Sequence, residues 1–133
     1  MKTAFADSAF YVALLIVRDD LHGKAKLLAQ SWESSVVTTE YVLVEVANYV
    51  RSSKSREKFG ELLNLLLADR NTEIIPSDHG HWERGVELYL TRPDKDWSLT
   101  DCISFVVMTE RGLTDALTAD HHFEQAGFAA LLK

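Results

Sequence analysis

Apolar residues recur along this chain in two rhythms, and their alternation lays out the elements. "TAFA" at 3–6 is a short apolar run that stops at Asp7-Ser8, which predicts a strand meeting a helix start. Residues 8–17 place Phe10, Leu14 and Val17 on one side of a helix, and residues 19–32 repeat the spacing with Leu21, Ala25, Leu28 and Trp32. "SVVTT" at 35–39 joins a β-branched pair to a threonine cap and predicts a strand feeding a helix over 40–52, apolar nearly all round through Val42, Leu43, Val44, Val46, Ala47 and Val50. Residues 55–69 are strongly periodic, "TEIIP" at 72–76 reads as a buried strand ended by Pro76, and 78–91 reads as a further amphipathic helix. A largely apolar helix follows at 98–111, closed by Gly112. "DALTAD" at 115–120 and "GFAALL" at 127–132 predict two last strands.

Short strands alternating with helices imply an α/β fold with a parallel sheet and helices on both of its faces. The 133 residues suffice for one domain over 1–133 with a proper core. No run approaches the ~18 apolar residues of a membrane span. The N-terminus lacks a secretory stretch, so the expected location is cytoplasmic. One cysteine, Cys102, excludes an internal disulfide and any zinc site built on two or more thiolates, and no motif around it suggests a thiol nucleophile.

Charge changes the picture. The net charge is −6, whereas a protein that holds nucleic acid by bulk electrostatics is basic. Only Arg51, Lys54, Arg56 and Lys58 form a local basic patch, and a solvated helix junction accounts for them better, since charge runs mostly solvate. The acids are more informative. In open parallel sheets ligands bind beyond the carboxyl ends of the strands. Asp7 follows the first strand and Asp120 the fourth, while Glu45 and Asp101 lie in the two most apolar helices. Each has an ordinary explanation: Asp7 as a helix cap, Asp101 as the third-position partner of Ser98 in a capping box, Asp120 as a turn residue, Glu45 as an acid at a solvent edge or paired with a buried arginine. Taken together they suggest one shared site. Converging carboxylates repel, and a divalent cation removes that cost.

With these residues in view, the chain resembles the PIN-domain ribonucleases, and among them the VapC-like toxins of bacterial toxin–antitoxin pairs. The resemblance rests on "FADSAFYVALL" (5–15), "TTEYVLVEVANYV" (38–50), "DWSLTDCISFVVM" (96–108) and "ALTADHHFEQAGFAAL" (116–131). It implies a three-layer αβα sandwich with a mainly parallel sheet, an acidic quartet of Asp7, Glu45, Asp101 and Asp120, metal-dependent endoribonuclease activity, a protein antitoxin and a homodimer. Some members carry a fifth acid, for which Glu124 is the nearest candidate. Ser98 and Thr118 are expected to orient the site through their hydroxyls.

Hard oxygen ligands suit Mg²⁺ or Mn²⁺, and such ions turn an acidic pocket into a phosphate site served by metal-activated water. Arg51, Lys54 and Arg56 would then meet flanking phosphates. Two alternatives remain: an RNA-processing nuclease of the same fold outside any toxin–antitoxin pair, and a non-catalytic α/β binding module. A receiver-like signalling domain would need paired acids after the first strand and a late lysine, and "FADS" and "TADHHF" supply neither. His79 and His81 form H-x-H beside Asp78 without a third ligand in a matching motif, which fits a polar helix entry. His121 and His122 invite a proton-transfer role but fit better as loop residues that pack or hydrogen-bond. Trp32, Trp82 and Trp97 are expected mostly in the core. Phe10, Tyr11, Leu14, Leu15 and Ile16 give the first helices more apolar surface than one buried face requires.

Overall fold

The computed structural model describes residues 2–133. Its elements are β1 (Ala4–Ala6), α1 (Ser8–Leu15), α2 (His22–Ser31), β2 (Val36–Thr39), α3 (Glu40–Tyr49), α4 (Arg56–Ala68), β3 (Thr72–Ile75), α5 (His79–Thr91), α6 (Leu99–Arg111), β4 (Asp115–Leu117), α7 (His121–Gln125) and β5 (Ala129–Ala130). The five strands form one sheet in the order β3-β2-β1-β4-β5, and every pairing is parallel. Steps from β1 to β3 move one way across the sheet, and those from β3 to β5 cross back and move the other. Right-handed crossovers therefore put α1–α4 on one face and α5–α7 on the other. The order reverses between β1 and β4, the place where such sheets open a crevice for ligands. Among the described residues no helix is long and apolar enough to cross a membrane.

The central strand explains the burial. Ala4, Phe5 and Ala6 are fully buried, as are Ala116 and Leu117 beside them, so β1 reads as a continuous apolar run without alternation. Phe105 of α6 packs edge-on against Trp97 and Phe123, with ring centroids 5.0 and 4.9 Å away. That cluster fastens α6 and α7 to the sheet, and with them the residues around their N-termini. Trp97 is buried as expected, whereas Trp82 is exposed.

The boundaries depart from expectation where side chains take over from periodicity. α2 begins at His22 because the Asp19 carboxylate accepts from the Leu21 N–H at 2.9 Å and makes a turn of the preceding residues. β4 ends at Leu117, where Thr118 folds its N–H back onto the Ala116 carbonyl at 3.0 Å. β5 keeps only two residues, after Gly127 at φ 98°. The five-residue α7 is too short to show a helical period, and the sequence pattern contains no sign of it.

α5 and α6 approach closely at Gly85, where an added Cβ would collide with Cγ1 of Ile103 and stand 3.3 Å from that residue's Cα and N. Gly85→Ala is expected to destabilise the protein by ~1–3 kcal/mol through overpacking. A urea denaturation midpoint equal to that of the wild type would show that the two helices separate freely.

Candidate active site

Asp7 leaves the carboxyl end of β1 and Thr118 that of β4, on either side of the switch point. Asp7 occupies the N-cap position of α1 in extended geometry, yet its side chain makes no capping bond. Its Oδ2 instead accepts from the Thr118 hydroxyl at 2.9 Å. The capping explanation for Asp7 therefore fails. The same Thr118 oxygen accepts from the Asp120 N–H at 3.1 Å, so one fully buried hydroxyl links two acids.

Asp120 caps α7, its Oδ1 accepting from the His122 N–H at 2.9 Å. The His122 ring then turns back, with Nδ1 3.1 Å from Asp101 Oδ2 and 3.4 Å from Asp120 Oδ1. Two carboxylates can only accept, so Nδ1 carries the proton and donates to them. Asp101 forms the expected capping box with Ser98: its N–H donates to Ser98 Oγ at 3.0 Å, and its Oδ2 accepts from the Ser98 N–H at 3.1 Å. Its capping role and its place beside the other acids coexist. Glu45, half-buried on α3, accepts from the Ser8 hydroxyl.

Electrostatics tie the four acids together. Asp7, 3% exposed, has its carboxyl pushed up to about 7, first by burial and then by the charges of Asp101 and Glu45, against the opposing Thr118 bond. Asp101 is also raised, mainly by burial and further by Asp120, with the Ser98 N–H and His122 opposing. Among the described residues no lysine or arginine forms an ion pair with any of the four. Asp120, His121 and His122 also present ligand atoms within 4.8 Å of one another. A desolvated carboxylate among acids that no lysine or arginine compensates is the donor set a hard divalent cation satisfies, so these residues fit one.

The structure thus brings Asp7, Glu45, Asp101 and Asp120 together, with Ser98 and Thr118 bonded to them. Glu124 stands outside the network, exposed and paired with Lys133 at 2.7 Å. Arg51, Lys54 and Arg56 are exposed around the α3–α4 turn, where the Arg51 guanidinium donates to the Asn48 carbonyl and that of Arg56 to the Arg51 carbonyl. Two members were not singled out from the sequence as orienting residues, Ser8 and His122. Their only signal there is position, directly after Asp7 and two residues after Asp120. His79 and His81 pair with Glu83 and Glu110, and Asp78 caps α5, which makes a polar helix entry of that motif. Burial and the neighbouring Asp101 charge push the Cys102 thiol up to about 11, which leaves it protonated and a poor nucleophile.

The family model for the PIN domain matches residues 4–129. The 23S rRNA-specific endonuclease VapC20 of Mycobacterium tuberculosis is 30% identical over 125 residues, covering 93% of this chain and 94% of that protein. The crystal structure of Mycobacterium tuberculosis VapC20, described as a Sarcin-Ricin loop cleaving toxin, superposes with a TM-score of 0.87 at 25% identity over 95% of this chain and 96% of that one. VapBC2 from Rickettsia felis, bound to a DNA fragment from its promoter, shares the fold with a TM-score of 0.63 at 18% identity over 96% of each chain.

The Asp7 shift makes a pH prediction for the metal-free protein. Its folded value of about 7 lies above the ordinary 3.8. Below pH ~4 both folded and unfolded chains hold the proton and the site costs nothing. As pH rises the unfolded chain releases it first, so stability falls until about pH 7 and is level beyond. Asp7→Asn keeps the acceptor for Thr118 and removes the charge. It is expected to stabilise the chelator-treated protein by roughly 2–4 kcal/mol at pH 8 and hardly at all at pH 4. Urea titrations showing the same difference at both pH values would contradict this.

Proposed function

Since the chain belongs to the PIN-domain family and is one of its VapC-like members, we propose that it is an endoribonuclease that hydrolyses RNA phosphodiester bonds with Mg²⁺ or Mn²⁺, the toxin of a toxin–antitoxin pair. The observation that carries this reading is the acidic quartet at the β1/β4 switch point, with Asp7 and Asp101 buried and no lysine or arginine among the described residues paired to any of the four. A cation bound there would act as a Lewis acid on the phosphate and make water a nucleophile near neutral pH.

The chain's own residues have distinct parts in this reading. Asp7, Glu45, Asp101 and Asp120 hold the cation. Thr118 fixes the Asp7 carboxylate and the Asp120 backbone, Ser98 fixes Asp101, and Ser8 fixes Glu45. Outer partners of this kind set the orientation of metal ligands. The His122 N–H holds Asp101 and Asp120 side by side and so fixes the spacing of the two acids. Glu124 would join only after leaving Lys133. Arg51, Lys54 and Arg56 are the cations that would meet flanking phosphates. The apolar groove between α1, α2 and α4, with Leu14, Trp32 and the exposed Leu65, is the surface offered to an antitoxin in the cytoplasm, and a homodimer belongs to the same reading.

RNA incubated with the protein and Mg²⁺ or Mn²⁺ should be cut to leave 5′-phosphate and 3′-hydroxyl ends, with ribosomal RNA as the first substrate to try. Asp101→Asn, which keeps the capping acceptor, should lose ~100-fold or more of the activity while melting as a folded protein. Ends carrying 2′,3′-cyclic phosphate would mean that the ribose hydroxyl attacks, and full activity in the folded variant would refute the site.

A further inference from the structure

Beside the carboxylate cluster lies a second cavity of about 340 Å³, between α1, the α1–α2 turn and α3. Ser8 and Glu45 form the wall it shares with the cluster, joined by their hydrogen bond. Its floor is apolar, made by Ala9, Val12 and Leu21. Tyr49 stands at the rim, one helical turn beyond Glu45 on the same face of α3, and is 64% exposed. Opposite, Asp19 lines the cavity with its Oδ1 held by the Leu21 N–H at 2.9 Å, and its Oδ2 has no partner among the described residues.

The chemistry of this cavity selects one part of a nucleotide. The Asp19 carboxylate, with Oδ2 unengaged among the described residues, repels a phosphate and attracts N–H donors. An apolar floor and an open aromatic ring suit a flat π-system. Continuity through Ser8 and Glu45 places the occupant directly next to the bond to be cut. Resting on the ribonuclease reading above, we propose that this cavity receives the base of a nucleotide flanking the cleaved phosphodiester, stacked on Tyr49, with Asp19 accepting from the base's amino group. Tyr49 and Asp19 are then specificity-determining residues. Single-stranded RNA is read in this way, by splayed bases stacked on aromatic side chains and bonded at their edges.

The test digests total RNA with the full chain and Mn²⁺ and sequences the cut ends for the wild type, Tyr49→Ala, Tyr49→Phe and Asp19→Asn, each checked by thermal melting. Tyr49→Ala is expected to lower kcat/KM by ~10-fold or more, chiefly through KM, and Tyr49→Phe, which keeps the ring, to restore most of it. In the wild type, uracil, which lacks an amino group, should be depleted at one position flanking the cut. Asp19→Asn, which offers a donor as well as an acceptor, should relax that depletion. A folded Tyr49→Ala protein with the wild-type rate and the wild-type base distribution would overturn the base pocket and leave the ribonuclease reading standing. A wild-type protein that cuts no RNA with Mn²⁺ or Mg²⁺ would overturn that reading, and the pocket with it.

Discussion

A carboxylate taken out of water at the end of the central strand is the constraint on which the rest of this molecule depends. Asp7 follows β1, which is buried on every side, and the chain can leave that strand only into the crevice between β1 and β4. Among the described residues only the Thr118 hydroxyl and the Ser8 backbone N–H oppose its desolvation. Desolvation alone pushes its carboxyl toward neutrality, and Asp101 and Glu45 push further. Such an arrangement costs folding free energy that a hydrophobic residue in the same place would not. It is tolerable because a large apolar core supports it, and useful because a cation entering the site recovers that cost as binding energy.

The remaining acids are held by bonds that serve the fold and the site at once. Asp101 closes the capping box of α6 and Asp120 caps α7, so both helices begin where the site requires a carboxylate. Phe105, one turn beyond Asp101, meets Trp97 and Phe123 and locks those two N-termini against each other. His122 then bridges Asp101 and Asp120 with a single N–H. A shift of either helix against the other would break an aromatic contact and this bridge together, which makes the spacing of the acids rigid.

The architecture was legible because its signals are long or repeated. Periodic runs such as 55–69 and 98–111 marked their helices to within a residue or two, and four isolated acids in apolar or strand-end settings marked the crevice. What stayed hidden was short or depended on a third party. Nothing in "DHHFEQ" distinguishes a five-residue helix from a loop, because the cap that nucleates it belongs to the residue already assigned to the site. Ser8 was invisible as a partner of Glu45 because 37 residues separate them and only the packing of α1 on α3 brings them together. Asp7 shows the opposite case: its sequence context suggested an ordinary helix cap, and only the position of Thr118, 111 residues away, shows where its oxygen is engaged.

The net charge of −6 then ceases to be an objection to an RNA substrate. A protein of this charge gains little from bulk attraction to a polyanion, and its site repels a phosphate outright until a cation is present. Affinity for RNA must therefore come from local sources of two kinds. Charge compensation at the quartet, with Arg51, Lys54 and Arg56 at flanking phosphates, acts on the backbone and cannot tell one nucleotide from another. Stacking and edge contacts beside it act on the base, are insensitive to the protein's overall charge, and do discriminate. An acidic nuclease is pushed by its own electrostatics toward selectivity, because the long-range, indiscriminate attraction that a basic protein has for nucleic acid is weak in it.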